Sequence, residues 1–327
     1  MDLMEIKTYS IDLGNGYTKR IVNGECIVEP SVIADVESYF SDDVDVTTLQ
    51  LSEGEAYFTG DDVGILGLKP ISALGEHDMD RYETPEFKKM IFGFLAKDFK
   101  QDVTIERLVT GLPVQHFKTK GKIVEELLKG RTVVKVNDKD IIIDIKNVSI
   151  IPQPIGTYLH LVAKKAVTPN KDLTLIVDCG HGTLDVTELK GKTIVKRAGN
   201  NEGAKEAYIN IYNTLVEEYG SLKELTISNI QNILLDGLLV SGSRINVRAK
   251  SEVQKILKKH FNSIFTFLQD NKFDLRSYDK VVFTGGIVHL YHDYFGERAE
   301  ANFLVVEDGQ TANARGYHEY GKAMTKK

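Results

Sequence analysis

"IDLGNGYTKR", residues Ile11–Arg20, sets an aspartate at the end of an apolar run, then two glycines around Asn15, with a lysine five residues past the first glycine. Glycine has no Cβ, so a turn built this way lets backbone N–H groups approach an anion closely. One such turn is also what an ordinary tight hairpin uses, with an aspartate at its strand end. This chain has a second. Residues 177–191, "VDCGHGTLDVTELKG", repeat the order of residues 11–24, "IDLGNGYTKRIVNG": apolar, Asp, any residue, Gly, any residue, Gly, a short strand, and another turn at Gly191 or Gly24. Asp12 and Asp178 stand about half of the 327-residue chain apart. The spacing implies an internal duplication, with two nests facing across a cleft and clamping a polyphosphate from both sides.

The neighbouring residues suit that role. Gly14, Asn15 and Gly16 form the first nest, and Gly180, His181, Gly182 and Thr183 the second. A polyphosphate carries Mg²⁺, a hard cation that keeps several waters, and Asp12 and Asp178 are the candidates for its outer shell. Lys19, one short strand from the first nest, places a positive charge suited to β- or γ-phosphate oxygens. His181 is a neighbour within the second nest; a lone histidine at a turn is more often a hydrogen-bonding surface residue. Two other phosphate signatures fail. Gly191-Lys192-Thr193 mimics the end of a Walker A loop, but Val186 stands where its first glycine should be. No Gly-x-Gly-x-x-Gly follows a strand to open a helix, which leaves a dinucleotide fold unsupported.

A chain of 327 residues exceeds what one hydrophobic core usually supports, so two domains are expected. Cys26 and Cys179 are too few for a disulfide framework or a four-ligand zinc site and fit a reducing cytosol. The net charge of −6 opposes direct binding to a nucleic-acid backbone. No apolar run approaches the roughly 18 to 20 residues that cross a bilayer. The first residues carry Asp2 and Glu5 rather than the basic and apolar regions of a signal peptide, and a cytoplasmic location is expected.

Alternation and turn residues predict a hairpin through Asn23-Gly24. The acidic, Gly-dotted stretch of about 35–75 reads as a small, mobile inserted subdomain of short strands and loops. Helical spacing marks 86–100 and 120–130, on either side of a strand that ends at Pro113. Strands follow at Thr132–Val136 and Ile141–Ile151. The second half reads as three strands over 173–199, a helix over 203–220, a long helix over 244–271, a buried strand "KVVFTGG", and a last helix of about 312–325.

In this order the motifs resemble the superfamily of actin, sugar kinases and heat-shock chaperone ATPase domains. Residues 12–19 are similar to its first phosphate motif and 178–185 to its second. "IIPQPIG" and "TANARGY" resemble its connecting segments, and "VVFTGGIV" its adenosine motif. Within it, "VTGLPVQHFKT", "EAYFTGDDV" and "TANARGY" look most like ParM-type bacterial plasmid-segregation actins. The resemblance implies an α/β, duplicated ribonuclease H-like fold, with domain I over 1–160 and domain II over 161–327 and the C-terminal helix packing back toward domain I. It implies ATP and Mg²⁺ in an interdomain cleft and head-to-tail polymerisation. Gln153 falls where the family orients the attacking water; its neutral amide positions water but is a poor base, so slow hydrolysis follows. Gly285 and Gly286 fall where adenine would lie against bare backbone, and Gly199 where a helix would open beneath the nucleotide.

The expected function is therefore a polymerising ATPase whose product is a filament, joined to its cargo through a DNA-bound adaptor. Two alternatives stand beside it. A small-molecule kinase needs a general base for its substrate, and no convincing candidate is present. The other is a non-catalytic, nucleotide-gated scaffold. The basic helical clusters 118–131 and 244–259 read as solvated faces that could also meet acidic neighbours.

Overall fold

The computed structural model describes residues 4–36, 45–51, 54–72, 79–169, 171–296, 298 and 300–325. The inserted segment read over 35–75 falls partly outside them. By contacts the chain divides into two compact units, one of residues 1–164 with 313–327, the other of residues 165–312.

The first unit is built on one large sheet. Its strands are β1 (Met4–Ile6), β2 (Tyr9–Leu13), β3 (Tyr17–Val22), β4 (Glu25–Pro30), β5 (Val32–Asp35), β6 (Leu49–Leu51), β7 (Tyr57–Thr59), β8 (Ile71–Ser72), β9 (Val103–Leu112), β10 (Gly130–Val136) and β11 (Lys139–Pro152). The central path runs β4-β3-β2-β9-β11 and continues through β10 into the short strands β6, β7, β5 and β8. Every residue of β2 is buried, as expected of a strand covered on both faces. The first hairpin turns where the sequence places it, at Asn23-Gly24, and β10 and β11 are joined at Asn137-Asp138, all four residues with positive φ.

Helix α1 (Asp61–Ile65) precedes α2 (Pro85–Phe99), which starts at Thr84, whose side chain accepts from Phe87 N, with Pro85 in the first position. Phe87, Met90, Ile91, Phe94 and Leu95 recur at helical spacing and are wholly buried. Helix α3 (Val114–Leu128) opens directly after Pro113, six residues before its periodicity becomes legible. Helix α4 (Gln153–Ala163) follows β11. The C-terminal helix (Ala312–Thr325) lies against α4 so closely that a Cβ on Gly316 would fall 1.7 Å from the Gly156 carbonyl oxygen.

The second unit carries β12 (Leu173–Cys179), β13 (Leu184–Lys190), β14 (Thr193–Asn200), β15 (Leu238–Val240), β16 (Ser243–Ile245), β17 (Lys280–Thr284) and β18 (Phe303–Val305). Its main sheet runs β14-β13-β12-β17-β18. Counted along these five strands alone, this is the order of the first unit's central path: third, second, first, fourth, fifth. In both, the first three strands are antiparallel and the last two join in parallel. The duplication read from two short turns is thus a duplication of a whole sheet.

Helices α5 (Ala204–Tyr219), α6 (Ile230–Asp236) and α7 (Ser251–Asp270) cover this sheet. The long helix expected over 244–271 begins only at Ser251. Residues 243–245 instead pair with 238–240, and Asn246 caps a tight turn over Val247–Ala249 by accepting from Ala249 N. Short polar side chains that bond nearby backbone compete with helix in this way. Among the described residues, no helix is long and apolar enough to cross a membrane.

Candidate functional site

In the first unit the candidate residues meet at the turn between β2 and β3. Asp12 lies opposite Lys19 and Leu13 opposite Thr18, so Gly14, Asn15 and Gly16 make the connection. Asp12 is buried; Lys19 Nζ lies 3.2 Å from its Oδ2, and Gln153 Nε2, at the start of α4, lies 3.5 Å from its Oδ1. Glycine at position 14 answers a need for room. A Cβ there would stand 2.6 Å from the Tyr17 carbonyl oxygen and 2.7 Å from Lys19 Nζ, so the missing side chain is what lets the lysine lie over the turn.

The turn's carbonyls are held from the other side. Ser31 N donates to Gly16 O at 3.0 Å and Ser31 Oγ to Gly14 O at 2.6 Å. Asn15 Oδ1 accepts from Arg81 Nη1 at 2.7 Å. Neither Ser31 nor Arg81 belongs to a motif, and neither was legible: their places depend on the link between β4 and β5 and on the 79–83 turn coming back to residue 15.

In the second unit Asp178 lies opposite Asp185 on β12 and β13, the same seven-residue offset as Asp12 and Lys19. Thr183 Oγ1 donates to Asp185 Oδ2 at 2.8 Å, and Gly180 N to Thr183 O at 2.9 Å. The first N–H groups of α5, which have no partner inside their helix, are used here. Ala204 N donates to Gly180 O and Lys205 N to His181 O, at 3.0 and 2.8 Å.

Gly203 caps that helix so tightly that a Cβ would fall 2.5 Å from Thr183 N. Its carbonyl lies 3.1 Å from Nε2 of His260 on α7, whose Nδ1 bonds the Tyr291 hydroxyl. Burial holds His260 below its ordinary pKa, so the ring is neutral at pH 7, with Nε2–H donating and Nδ1 accepting from the phenol. The His181 ring stacks at a tilt on Tyr208, 5.8 Å between centroids.

Gly199 requires a correction: it does not open a helix. It lies inside β14, opposite Asp185, and the glycine at the mouth of α5 is Gly203. The "GAKEAY" run contained that signal, a glycine immediately before helical periodicity. Gly285 has φ of +103°, and a Cβ there would meet the Cys179 carbonyl oxygen at 2.2 Å and Asp178 Oδ1 at 2.9 Å. Its bare backbone therefore lets the ends of β12 and β17 converge beside Asp178. At Gly286 the space is ordinary, facing Gln231 at 3.5 Å. Gly309, which the sequence does not single out, accepts from Thr284 Oγ1. Among the described residues, no three His, Cys, Asp or Glu side chains converge on one point. A cation beside Asp12 or Asp178 would draw most of its ligands from water and from an anion.

Residues 10–156 match the model of the actin-like proteins' N-terminal domain.

Beyond that segment, solved actin-like proteins share the fold at low sequence identity. An archaeal actin homolog, Ta0583, matches with a TM-score of 0.80 at 19% identity, over 97% of this chain and 99% of its own. Its complex with ADP gives 0.78 at 20%, with the same coverage. The apo pSK41 ParM protein gives 0.74 at 21%, over 98% of both chains. The 15-stranded ParM filament from Clostridium botulinum gives 0.75 at 19%, over 99% of this chain and 100% of that one. Among curated proteins, none matches this sequence.

Proposed function

We propose that this protein is an actin-like polymerising ATPase that binds ATP with Mg²⁺ and assembles head to tail into cytoskeletal filaments. The observation that carries the reading is the placement of one Asp-x-Gly-x-Gly turn between β2 and β3 and another between β12 and β13, the matching strands of the two duplicated sheets. The residues present fit a polyphosphate: Gly14 leaves room that a Cβ would fill, Lys19 supplies a cation, and each turn is fixed by bonds to its carbonyls. An archaeal actin homolog of this fold is solved with ADP, and a ParM of this fold as a filament.

In this reading the nucleotide-binding residues are Asp12, Gly14, Asn15, Gly16 and Lys19 of the first turn and Asp178, Gly180, His181, Gly182 and Thr183 of the second. Mg²⁺, when bound, neutralises phosphate charge, and Asp12 and Asp178 hold its waters. Gln153 orients the attacking water. It is already fastened to Asp12, so one carboxylate sets both the lysine and the amide. Lacking a strong base, the site hydrolyses slowly, as suits a timer of filament lifetime. ATP favours a protomer whose ends are complementary and hydrolysis weakens that state; a head-to-tail contact of this kind grows without closing. Segregation of plasmid DNA through a DNA-bound adaptor in the cytoplasm completes the reading and agrees with the acidic net charge of −6.

The test is sedimentation and electron microscopy at micromolar protein with ATP and Mg²⁺, together with phosphate release. Filaments that pellet with ATP and disperse as phosphate appears are expected. Absence of both polymer and phosphate release would overturn the reading.

A further inference from the structure

Arg81, on the short helical turn Met79–Glu83, is a buried cation that reaches the first turn, and no motif contains it. Arg81 is 5% exposed. Its two terminal nitrogens hold different partners: Nη1 donates to Asn15 Oδ1 at 2.7 Å and Nη2 to Tyr82 Oη at 2.8 Å. The Tyr82 hydroxyl lies 2.7 Å from Nδ1 of His116 on α3. With the His116 pKa pushed down to about 4, by burial first and then by Arg81 and Lys120, the ring is neutral at pH 7, and its Nδ1 accepts from the phenol. Tyr82 is itself pinned, 1% exposed and edge-on to Phe87 at 5.3 Å.

The partners are an amide and a phenol. Among the described residues no carboxylate pairs with Arg81, and its Nε–H has no acceptor. Lys19, the other cation at the turn, is paired with Asp12. The positive charge left unneutralised beside Asn15, counted over those residues, is therefore that of Arg81.

We propose that Arg81 is a positioning residue for nucleotide at the first turn: its guanidinium fork fixes Asn15, and its charge draws the polyphosphate. The inference rests on the nucleotide reading above and deepens it. Two separate properties are assigned to one side chain, and they can be separated. A guanidinium holds two acceptors at once in a fixed plane, whereas an ammonium is a point charge on a flexible stem. Arg81→Lys keeps the charge and loses the fork; Arg81→Gln loses both.

The probe is mant-ATP with Mg²⁺, titrated by fluorescence at several salt concentrations. Removing a hydrogen bond from a charged donor is expected to weaken mant-ATP about tenfold in Arg81→Gln and several-fold in Arg81→Lys. The salt dependence of Kd should flatten in Arg81→Gln and persist in Arg81→Lys, a distinction that a purely structural role would not produce. Asn15→Ala should remove most of the further effect of Arg81→Lys, since the two act through one contact. Tyr82→Phe, which removes a single hydroxyl from a packed ring, covers the case in which a charge variant fails to fold; a smaller loss of affinity is expected. Unchanged affinity in Arg81→Gln, or full additivity with Asn15→Ala, would overturn the proposal while leaving the nucleotide reading intact. A wild-type protein that does not bind mant-ATP would overturn both.

Discussion

Lys19 and Asp12 face each other across β2 and β3, 3.2 Å apart, while the same register in the second unit places Asp185 opposite Asp178. The duplicated turns are therefore alike in backbone and opposite in charge at one position. In the first, a lysine reaches back over the glycine onto the aspartate. In the second, Asp185 turns to the Thr183 hydroxyl.

The asymmetry makes Lys19 the partner that keeps a buried carboxylate in place. Its side chain is 13% exposed and that of Asp12 is 4% exposed. Lys19→Met leaves Asp12 buried without a cation, held by the Gln153 amide alone, and a cost of about 2 kcal/mol in nucleotide-free stability is expected, below the full value for a deeply buried pair. Asp12→Asn added to Lys19→Met should recover part of that loss. Urea unfolding of the two single variants and the double variant measures it; additive losses would contradict the pairing.

Close packing of the C-terminal helix on α4 gives a second expectation. Gly316 and Gly156 touch backbone to backbone, and Asn313 Oδ1 accepts from both Thr157 N and Thr157 Oγ1, at 3.0 and 2.8 Å. The same helix begins with Gln153, so its docking sets where that amide stands. Gly316→Ala cannot be absorbed by a flexible side chain, because the group in the way is the Gly156 carbonyl. A loss of about 3 kcal/mol or more is expected from overpacking, seen as a lower melting temperature. A melting temperature equal to wild type would show that the helices separate easily.

Acid should destabilise the fold through His116. Its pKa is near 4 in the folded protein against an ordinary 6.5, because burial, Arg81 and Lys120 disfavour its charged form. The unfolded chain therefore takes up this proton first as pH falls. The contribution is fully present above about pH 6.5 and is lost progressively toward pH 4. Among the groups facing the ring, Tyr82 carries no charge at these pH values and Lys120 is paired with Glu83. His116→Gln should show a shallower decline in urea midpoint between pH 7 and pH 5. An identical decline would mean that the ring titrates normally.

Much of this was legible because the signals were local. Asp-x-Gly-x-Gly repeated at half-chain spacing announced the duplicated sheet, and apolar spacing in 86–100 announced α2. What stayed hidden depends on distant segments meeting. Ser31 and Arg81 serve the first turn from the link between β4 and β5 and from the turn before α2, and a lone serine or arginine carries no periodicity. Gly199 misled for a related reason: a glycine after a β-rich run marks an ending, but not whether the strand stops there or runs one residue further. The start of α7 was blurred likewise, since "RINVRA" has apolar spacing compatible with a helix until Asn246 and the pairing of β16 with β15 claim it.

Gly203 offers the sharpest test of the second turn. A Cβ at this position would meet Thr183 N at 2.5 Å, Gly182 C at 2.6 Å and His181 O at 2.6 Å, all backbone of the turn itself. Its own φ is −76°, which any residue adopts, so the requirement is for space and not for backbone freedom. Gly203→Ala must therefore push α5 and the turn apart, stretching the bonds from Ala204 N and Lys205 N to the turn carbonyls. Under the proposed function the variant should lose mant-ATP affinity by more than about tenfold, as expected when polar anchors of a site are displaced. It should also melt below wild type. Gly220→Ala, at the far end of the same helix where nothing lies within 4 Å but φ is +73°, separates the two effects, with a stability cost and unchanged affinity. Equal affinities in the two variants would show that the 180–183 turn takes no part in holding the nucleotide.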